Sequence, residues 1–218
     1  MDWTALFLSL KLALVATAIL MLLTAPLACL MAYSRLPGKA FLEAFINLPL
    51  AMPPTVVGFY LLILMGPEGQ LGRFWTGVTG LPLLFTFAGI VIASIIYSMP
   101  FALQPMRAAF EKIDPRLIDS ARVLGLSPPA IFVRVIIPNS LNGIAASAIL
   151  VFLHTLGAFG VMLMVGGSIP GETRVISIAI YEAVETLQYG SAALMSLALL
   201  PVCYVFLLVV HRLTRRPS

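Results

Sequence analysis

Few side chains in this 218-residue chain could perform acid–base, nucleophilic or metal chemistry. The aspartates are Asp2, Asp114 and Asp119, and none lies inside a long apolar run, which excludes an intramembrane aspartyl protease. There is no HExxH zinc motif and no convincing set of serine, histidine and acid. A GxxxxGK[ST] phosphate loop is also missing, because the pair Gly38-Lys39 lacks the upstream glycine. The residues therefore predict no enzyme, no metal site and no cofactor, and ATP-driven work would need a partner.

Three further side chains lie inside apolar runs. Cys29 and Cys203 have no paired spacing and are expected to be small buried residues. His154 is ionisable, and an ionisable residue within a membrane segment is by default a candidate functional residue. The alternative interpretation of His154 is a neutral ring that hydrogen-bonds to a neighbouring helix.

Composition indicates the elements that must position these residues. The chain is 61% hydrophobic and 10% charged, whereas a soluble domain carries roughly 25% charged residues. Several apolar runs reach the ~20 residues needed to cross a bilayer. We therefore predict an all-α, polytopic membrane helix bundle, a single domain over 6–210, with five transmembrane helices at about 3–33, 45–65, 82–106, 141–165 and 190–210.

Two of the predicted spans carry features of a pathway. The second contains Pro49, Pro53 and Pro54, and such breaks are tolerated where protein or a water-filled cavity satisfies the freed carbonyls. The favoured interpretation is a bent helix beside a pathway, and the alternative is a packing kink. Pro53, Pro54, His154 and Thr155 are the candidate pathway residues. The intervals 66–81 and 166–174 are predicted to be irregular loops, and 175–187 a short amphipathic helix at the membrane surface.

The longest charged interval lies in the loop 107–138, between the third and fourth spans. Its part from Asp114 to Pro138, called here the central segment, predicts two short helices joined by a turn. Asp114 can cap the first helix, and Gly125 stands where a left-handed C-cap is expected. Ser127 can cap the second helix, and Pro138 ends or kinks it. One apolar stripe is predicted on the first helix, formed by Leu117, Ile118, Ala121 and Leu124.

The distribution of positive charge predicts the orientation. Five spans place the two chain ends on opposite sides, and cytoplasmic loops are enriched in Lys and Arg. Placing the central segment in the cytoplasm puts Lys11, Arg73 and Arg174 on the outer side. The other ten positive residues are then inside: Arg35, Lys39, Arg107, Lys112, Arg116, Arg122, Arg134, Arg212, Arg215 and Arg216. The N-terminus is therefore predicted outside and the C-terminus in the cytoplasm.

The spacing within the central segment resembles the EAA signature of ABC-transporter membrane subunits. The signature is Glu-Ala-Ala, three residues, Gly, nine residues, Ile, one residue, Leu-Pro. Here the matching residues, at the same spacing, are Asp119, Ser120, Ala121, Gly125, Val135, Ile137 and Pro138. The departures are Asp for Glu, Ser for the first Ala, Val for Ile and Ile for Leu. With five spans around it, the chain is similar to type I ABC importer permeases of the bacterial inner membrane.

The flanking stretches narrow the resemblance to molybdate permease subunits. LPLAMPPTVVGFYLL at 48–62 and GAFGVMLMVGGSIPGETRVISIAIY at 157–181 look like the corresponding segments of that family. Many relatives carry Glu where this chain has Ala158, which puts a carboxylate role there in doubt. Sulfate and tungstate permeases share parts of both stretches. Tungstate, sulfate or thiosulfate, or another oxyanion, remain alternative substrates, and a passive channel is the alternative from another class.

The resemblance implies partners and residue roles. A homodimer would enclose the pathway, two cytoplasmic ATP-binding subunits would hydrolyse ATP, and an external molybdate-binding protein would deliver the anion. Contact with the ATPase is expected at Asp119, Ser120, Ala121, Gly125 and Pro138. Arg174, in the outer loop 166–174, is the candidate contact with the binding protein.

Overall fold

A computed structural model of the chain describes residues 2–34 and 37–215. Arg35 and Arg216, two of the ten positive residues assigned to the inner side, lie outside the described residues. The described parts fold into α-helices with no strand. The helices are α1 Trp3–Tyr33, α2 Lys39–Ala51, α3 Pro54–Met65, α4 Gln70–Thr79, α5 Phe87–Glu111, α6 Pro115–Val123, α7 Pro128–Ile131, α8 Ile137–Asn139, α9 Leu141–Gly157, α10 Gly160–Gly166, α11 Ile176–Glu185 and α12 Tyr189–Arg215. A π-helix at Phe132–Ile136 joins α7 to α8.

Within the described residues, three helices, α1, α5 and α12, are long and apolar enough to cross a membrane. Two bent pairs bring the possible spans to as many as five if each pair is one span. α2 and α3 meet at 114°, and the stretch Pro128–Asn139 meets α9 at 77°. The prediction of an all-α bundle is confirmed. The helices differ in extent from two of the predicted spans, because α9 ends at Gly157 before α10 begins and α5 runs from Phe87 to Glu111.

Capping side chains fix where the long helices begin. The Asp2 carboxylate accepts a hydrogen bond from the Ala5 amide at 3.0 Å, and α1 starts at the next residue. Thr86 does the same for α5 by accepting from the Gly89 amide at 3.1 Å. Each cap satisfies one of the backbone donors that the first helical turn leaves without a partner.

α1, α5 and α9 pack closely on one another and form the centre of the bundle. Small side chains permit this approach, since Ala13 and Ala16 of α1 and Ala93 and Ala102 of α5 are fully buried. Such small residues are favoured between membrane helices, because lipid is as apolar as a side chain and close van der Waals contact drives association. α12 packs on α9 and α11 and leaves most of its length exposed.

Polar contacts distinguish the two ends of the bundle. At one end, called here the Asp2 end, Arg174 approaches the Asp2 carboxylate at 3.3 Å. At the other, the Tyr33 end, the Tyr33 hydroxyl donates to the Phe110 carbonyl. The central segment lies at the Tyr33 end, because Ile118 and Ala121 belong to the same buried cluster as Met31 and Phe110.

Two connecting stretches differ from the prediction, one by containing an additional helix and the other by its burial. The interval 66–81 contains α4, whose Leu71 and Trp75 pack on the core beside α3 while Phe74 and Val78 face away. The predicted surface helix after residue 174 is present as α11. Its residues Ile176, Ile178, Ala179 and Ala183 are buried, so it belongs to the packed bundle.

Gly143 offers a test of the α5–α9 contact. A Cβ atom at this position would lie 2.2 Å from the Cβ of Ala109, whereas a Cβ on Gly157 of the same helix would meet nothing within 4 Å. We expect Gly143→Ala to lower the free energy of unfolding by about 1–3 kcal/mol, because overpacking forces the helices apart. Gly157→Ala is the control, and thermal unfolding in detergent should separate the two. Equal melting temperatures would contradict this close contact.

Candidate functional site

The first helix of the central segment, α6, has the predicted ends. The Asp114 carboxylate accepts from the Arg116 amide at 2.9 Å, and Pro115 is the first helical residue. Gly125 has φ +80°, and its amide donates to the Arg122 carbonyl at 2.9 Å. The Leu126 amide donates to the Ala121 carbonyl at 3.1 Å. These two bonds define a Schellman motif with glycine in the left-handed position, so the turn after α6 has a fixed geometry.

α6 presents a mixed apolar and charged face to the outside. Ile118 and Ala121 are buried against the bundle, as predicted, but Leu117 is 48% and Leu124 78% exposed. The prediction of a single apolar stripe is therefore wrong for these two leucines. Val123 is 88% exposed beside them. A depression of about 520 Å³ lies on this face, lined by Arg116, Asp119, Ser120, Val123 and Leu124.

The residues of the EAA-like stretch play different parts on this helix. Asp119 forms an exposed ion pair with Arg122 at 2.9 Å. The Ser120 hydroxyl donates to the carbonyl of Arg116 in its own helix at 2.7 Å. The Ser120 residue is nevertheless exposed. Ala121 is buried and anchors α6, and Asp119 and Ser120 form the exposed surface.

The second half of the central segment is a continuous but distorted helix. α7 follows Ser127, which accepts from the Ile131 amide through its backbone carbonyl and forms no side-chain cap. A π-helix then widens the backbone before Pro138. Proline has no amide hydrogen and clashes with the carbonyl four residues earlier, which the wider turn accommodates. Pro138 lies within this helix, and the chain bends one residue later, after Asn139, so a helix end beside Pro138 agrees with the prediction.

The two breaks in the apolar helices lie against each other. α3 begins at Pro54, and a Cβ on Gly160, the first residue of α10, would lie 3.1 Å from the Cβ of Pro54. A Cβ on Gly58 would lie 2.8 Å from the Cβ of Met164. Pro53 and Pro54 are exposed in the single chain. The backbones of α3 and α10 therefore touch where each helix restarts.

The break between α9 and α10 is satisfied from within the protein. The Ser177 hydroxyl of α11 donates to the Ala158 carbonyl at 2.7 Å. Ala158 is buried in the core cluster, so this position offers no charged group beside the break. The carbonyl freed by the break is hydrogen-bonded, as a membrane interior requires.

His154 lies one turn before this break in a small polar cluster. The Ser98 hydroxyl is 2.9 Å from Nδ1 of His154 and 3.2 Å from the Thr155 hydroxyl. The imidazole stacks on Phe101, with centroids 4.0 Å apart, and Tyr97 lies 4.6 Å away. The hydrogen bond to α5 agrees with the alternative interpretation, and the partly exposed ring leaves the pathway role of His154 a prediction. Tyr97 and Phe101 were not predicted, and their spacing of four on one helix was the available signal.

Arg174 lies at the Asp2 end between two carboxylates. It is 3.3 Å from Asp2 and 3.0 Å from Glu182. The loop before it is ordered, because the Thr173 hydroxyl donates to the Gly166 carbonyl at 2.6 Å. Arg174 and these carboxylates line part of a polar pocket of about 630 Å³. Among the described residues no group of three His, Cys, Asp or Glu side chains is placed to hold a metal ion.

Solved structures show which fold this is. A chain of a bacterial ABC transporter involved in the import of the acidic polysaccharide alginate superposes with a TM-score of 0.72. The match covers 99% of this chain and 79% of that one at 19% sequence identity. The helix order and the two bent pairs thus form the permease fold of ABC importers.

Sequence comparison then shows the family. The family model described as binding-protein-dependent transport system inner membrane component matches residues 24–218. The molybdenum transport system permease protein ModB of Azotobacter vinelandii is 43% identical over 88% of this chain and 84% of its own length. The molybdenum transport system permease protein ModB of Escherichia coli K12 is 35% identical over 85% of this chain and 81% of its own length. The chain belongs to the family of binding-protein-dependent transport system inner membrane components.

Proposed function

We propose that this chain is the permease subunit of an ABC importer that carries molybdate, and tungstate with it, across the inner membrane. The observation that supports this most is the 43% identity to a molybdenum transport permease, which extends over 88% of the chain. The sulfate transport permease CysT of Escherichia coli K12 is 28% identical, and the match covers 65% of its length. The molybdate-type relatives are thus more similar in both sequence and length.

The route we propose passes the two breaks and the Ser98–His154–Thr155 cluster. A dianion needs polar groups along its path, but a cluster of buried cations would hold it too tightly for release. α3, α9 and α10 contain no Lys or Arg. Pro53 and Pro54 are exposed where α3 begins, and in the proposed homodimer a second copy of the chain would cover them.

The variant His154→Ala tests this route, and its molybdate uptake is expected to fall. Uptake equal to that of wild type, at limiting and at saturating substrate, would show that His154 is not part of the route.

The proposed energy source is ATP hydrolysed by two copies of a separate subunit in the cytoplasm. The exposed face of α6 suits such a partner, because Leu117, Val123 and Leu124 would be desolvated beside the charges of Arg116 and Asp119. Depletion of charge at the centre of a contact and polar groups at its rim are typical of protein interfaces. At the Asp2 end, Arg174 and its pocket would face the external binding protein.

Uptake tests the proposed function directly. Proteoliposomes that hold the chain with its ATPase and binding protein are expected to accumulate radiolabelled molybdate only with ATP inside. Excess tungstate should compete strongly and sulfate weakly. Sulfate competing better than tungstate would reassign the substrate, and uptake without ATP hydrolysis would indicate a passive channel.

Gly125 tests the role of the turn after α6. Nothing lies within 4 Å of a Cβ at this position, so the cost of a side chain comes from its φ of +80° alone. That cost is about 1–2 kcal/mol for most residues, and Asn tolerates the conformation better. We expect Gly125→Val to insert normally and hydrolyse ATP while molybdate uptake falls severalfold, and Gly125→Asn to retain most uptake. Equal uptake by the two variants would show that the turn does not matter for coupling.

Thiol labelling tests the proposed orientation, with the Asp2 end outside. Glu172 in the loop before Arg174 and Asn139 after the central segment are both exposed and lie in regions assigned to opposite sides. In a chain with Cys29 and Cys203 replaced by serine, a membrane-impermeant maleimide should label Glu172→Cys in intact spheroplasts. Asn139→Cys should react only after permeabilisation. The opposite pattern would invert the topology.

A further inference from the structure

α2 is held to the bundle in a different way from the other long helices. None of its residues is fully buried, and Phe41 and Phe45 are 79% and 63% exposed. Its principal neighbour is the second half of α5. Apolar side chains gain little by leaving lipid for protein, so exposed aromatic residues cannot by themselves fix α2 in place.

Two polar pairs join α2 to α5. Glu43 forms an ion pair with Arg107, and the side-chain amide of Gln104 donates to the Asn47 side-chain oxygen at 2.7 Å. Glu43 and Asn47 are four residues apart, and Gln104 and Arg107 three apart, so each pair of positions lies on one face of its helix. We call these four residues the α2–α5 link.

Arg107 is fixed more firmly than a surface arginine. Its Nε donates to the Glu111 carboxylate at 2.6 Å while its NH1 contacts Glu43. Its side chain is 27% exposed, compared with 66% for Arg73 in the ion pair with Glu68. An arginine held by two carboxylates has a defined position, because the planar guanidinium offers donors in several fixed directions.

The end of α5 is continuous with the central segment. Phe110 is the residue before the last of α5, and it is fully buried. It shares one apolar cluster with Ile113, Ile118 and Ala121. Tyr33 of α1 donates to the Phe110 carbonyl at the same place. A displacement of α6 would therefore act on the last turns of α5, where Gln104, Arg107 and Glu111 lie.

α3, in contrast, is fixed to another part of the bundle. A Cβ on Gly58 would lie 2.8 Å from the Cβ of Met164 in α10, and a Cβ on Gly160 of α10 would lie 3.1 Å from the Cβ of Pro54. The residues Met52 and Pro53, where α2 and α3 meet at 114°, separate a helix held by α5 from a helix held by α10.

We propose that the α2–α5 link makes α2 move with the central segment. Motion of the central segment would then change the position of α2 relative to α3 at the break Met52–Pro53. Glu43, Asn47, Gln104 and Arg107 are thus positioning residues for transport. This inference rests on the proposed coupling of α6 to an ATPase, and it adds the route from α6 to the break.

The first test separates coupling from folding. In the complete transporter, Glu43→Gln is expected to reduce molybdate uptake per ATP hydrolysed roughly fivefold, within the range of coupling changes seen for intermediary residues. The exchange Glu43→Arg with Arg107→Glu should restore it, because Arg at 43 would again face carboxylates at 107 and 111. Glu68→Gln, which breaks the exposed pair with Arg73, is the matched control and should behave as wild type. Unchanged uptake per ATP in Glu43→Gln would overturn the proposal.

The second test does not depend on the substrate. Spin labels at Ala40 of α2 and Lys112 after α5, and in a second protein at Ala40 and Ile63 of α3, occupy exposed positions. Cys29 and Cys203 are replaced by serine in both. Adding a non-hydrolysable ATP analogue to the transporter complex should leave the distance between labels 40 and 112 unchanged and alter the distance between labels 40 and 63.

A larger change in the 40–112 distance than in the 40–63 distance would show that α2 moves with α3, and would contradict the link. If wild type takes up no oxyanion while these distances behave as expected, the proposed substrate fails and the link stands.

Discussion

The requirement that every backbone polar group in a membrane interior find a partner within the protein governs this structure. Each helix break leaves carbonyl and amide groups without helical partners, so a break is stable only where another element covers it. Here the restart of α3 at Pro54 lies against the restart of α10 at Gly160. Ser177 of α11 hydrogen-bonds the Ala158 carbonyl. The position of α11 meets this need at the second break, and the close contact of α3 with α10 brings the two breaks together.

The same constraint explains why polar contacts join the central helices of the bundle. Between apolar helices in lipid, hydrogen bonds and ion pairs select one arrangement where hydrophobic contacts alone do not distinguish among several. Ser98 joins α5 to α9 through His154 and Thr155. Arg107 joins α5 to α2 through Glu43. Both contacts belong to α5, which leads directly into the central segment, so α5 connects that segment with both broken helices.

Much of this could be predicted from the sequence, because the signals were local. Asp114 and Gly125 act at the positions where their backbone chemistry indicates a cap and a left-handed turn, and the helix that contains Pro138 ends one residue after it. Pro53 marks the break in the second span for the same reason. The break after Gly157 carries no proline and arises from tertiary packing on α11, so apolarity alone suggested one continuous span. α4 was likewise hidden by its glycines, because packing of Leu71 and Trp75 on α3 overrides a turn-rich composition. The exposure of Leu117 and Leu124 could not be read from periodicity, since the sequence does not show how much of a short helix the bundle covers.

The helices on either side of the two breaks carry little positive charge, since α3, α9 and α10 contain no Lys or Arg. The proposed function requires positive potential without a cluster of cations that would trap the anion. Among the described residues, two arginines of the bundle are each paired with two carboxylates. Arg174 lies between Asp2 and Glu182, and Arg107 between Glu43 and Glu111. Lys11, the cation nearest the middle of α1, lies 4.4 Å from the centroid of the Phe87 ring. On the proposed route, a dianion would meet hydroxyl, imidazole and backbone groups, each a weak partner. Weak partners along that proposed route would favour release of the anion over its retention.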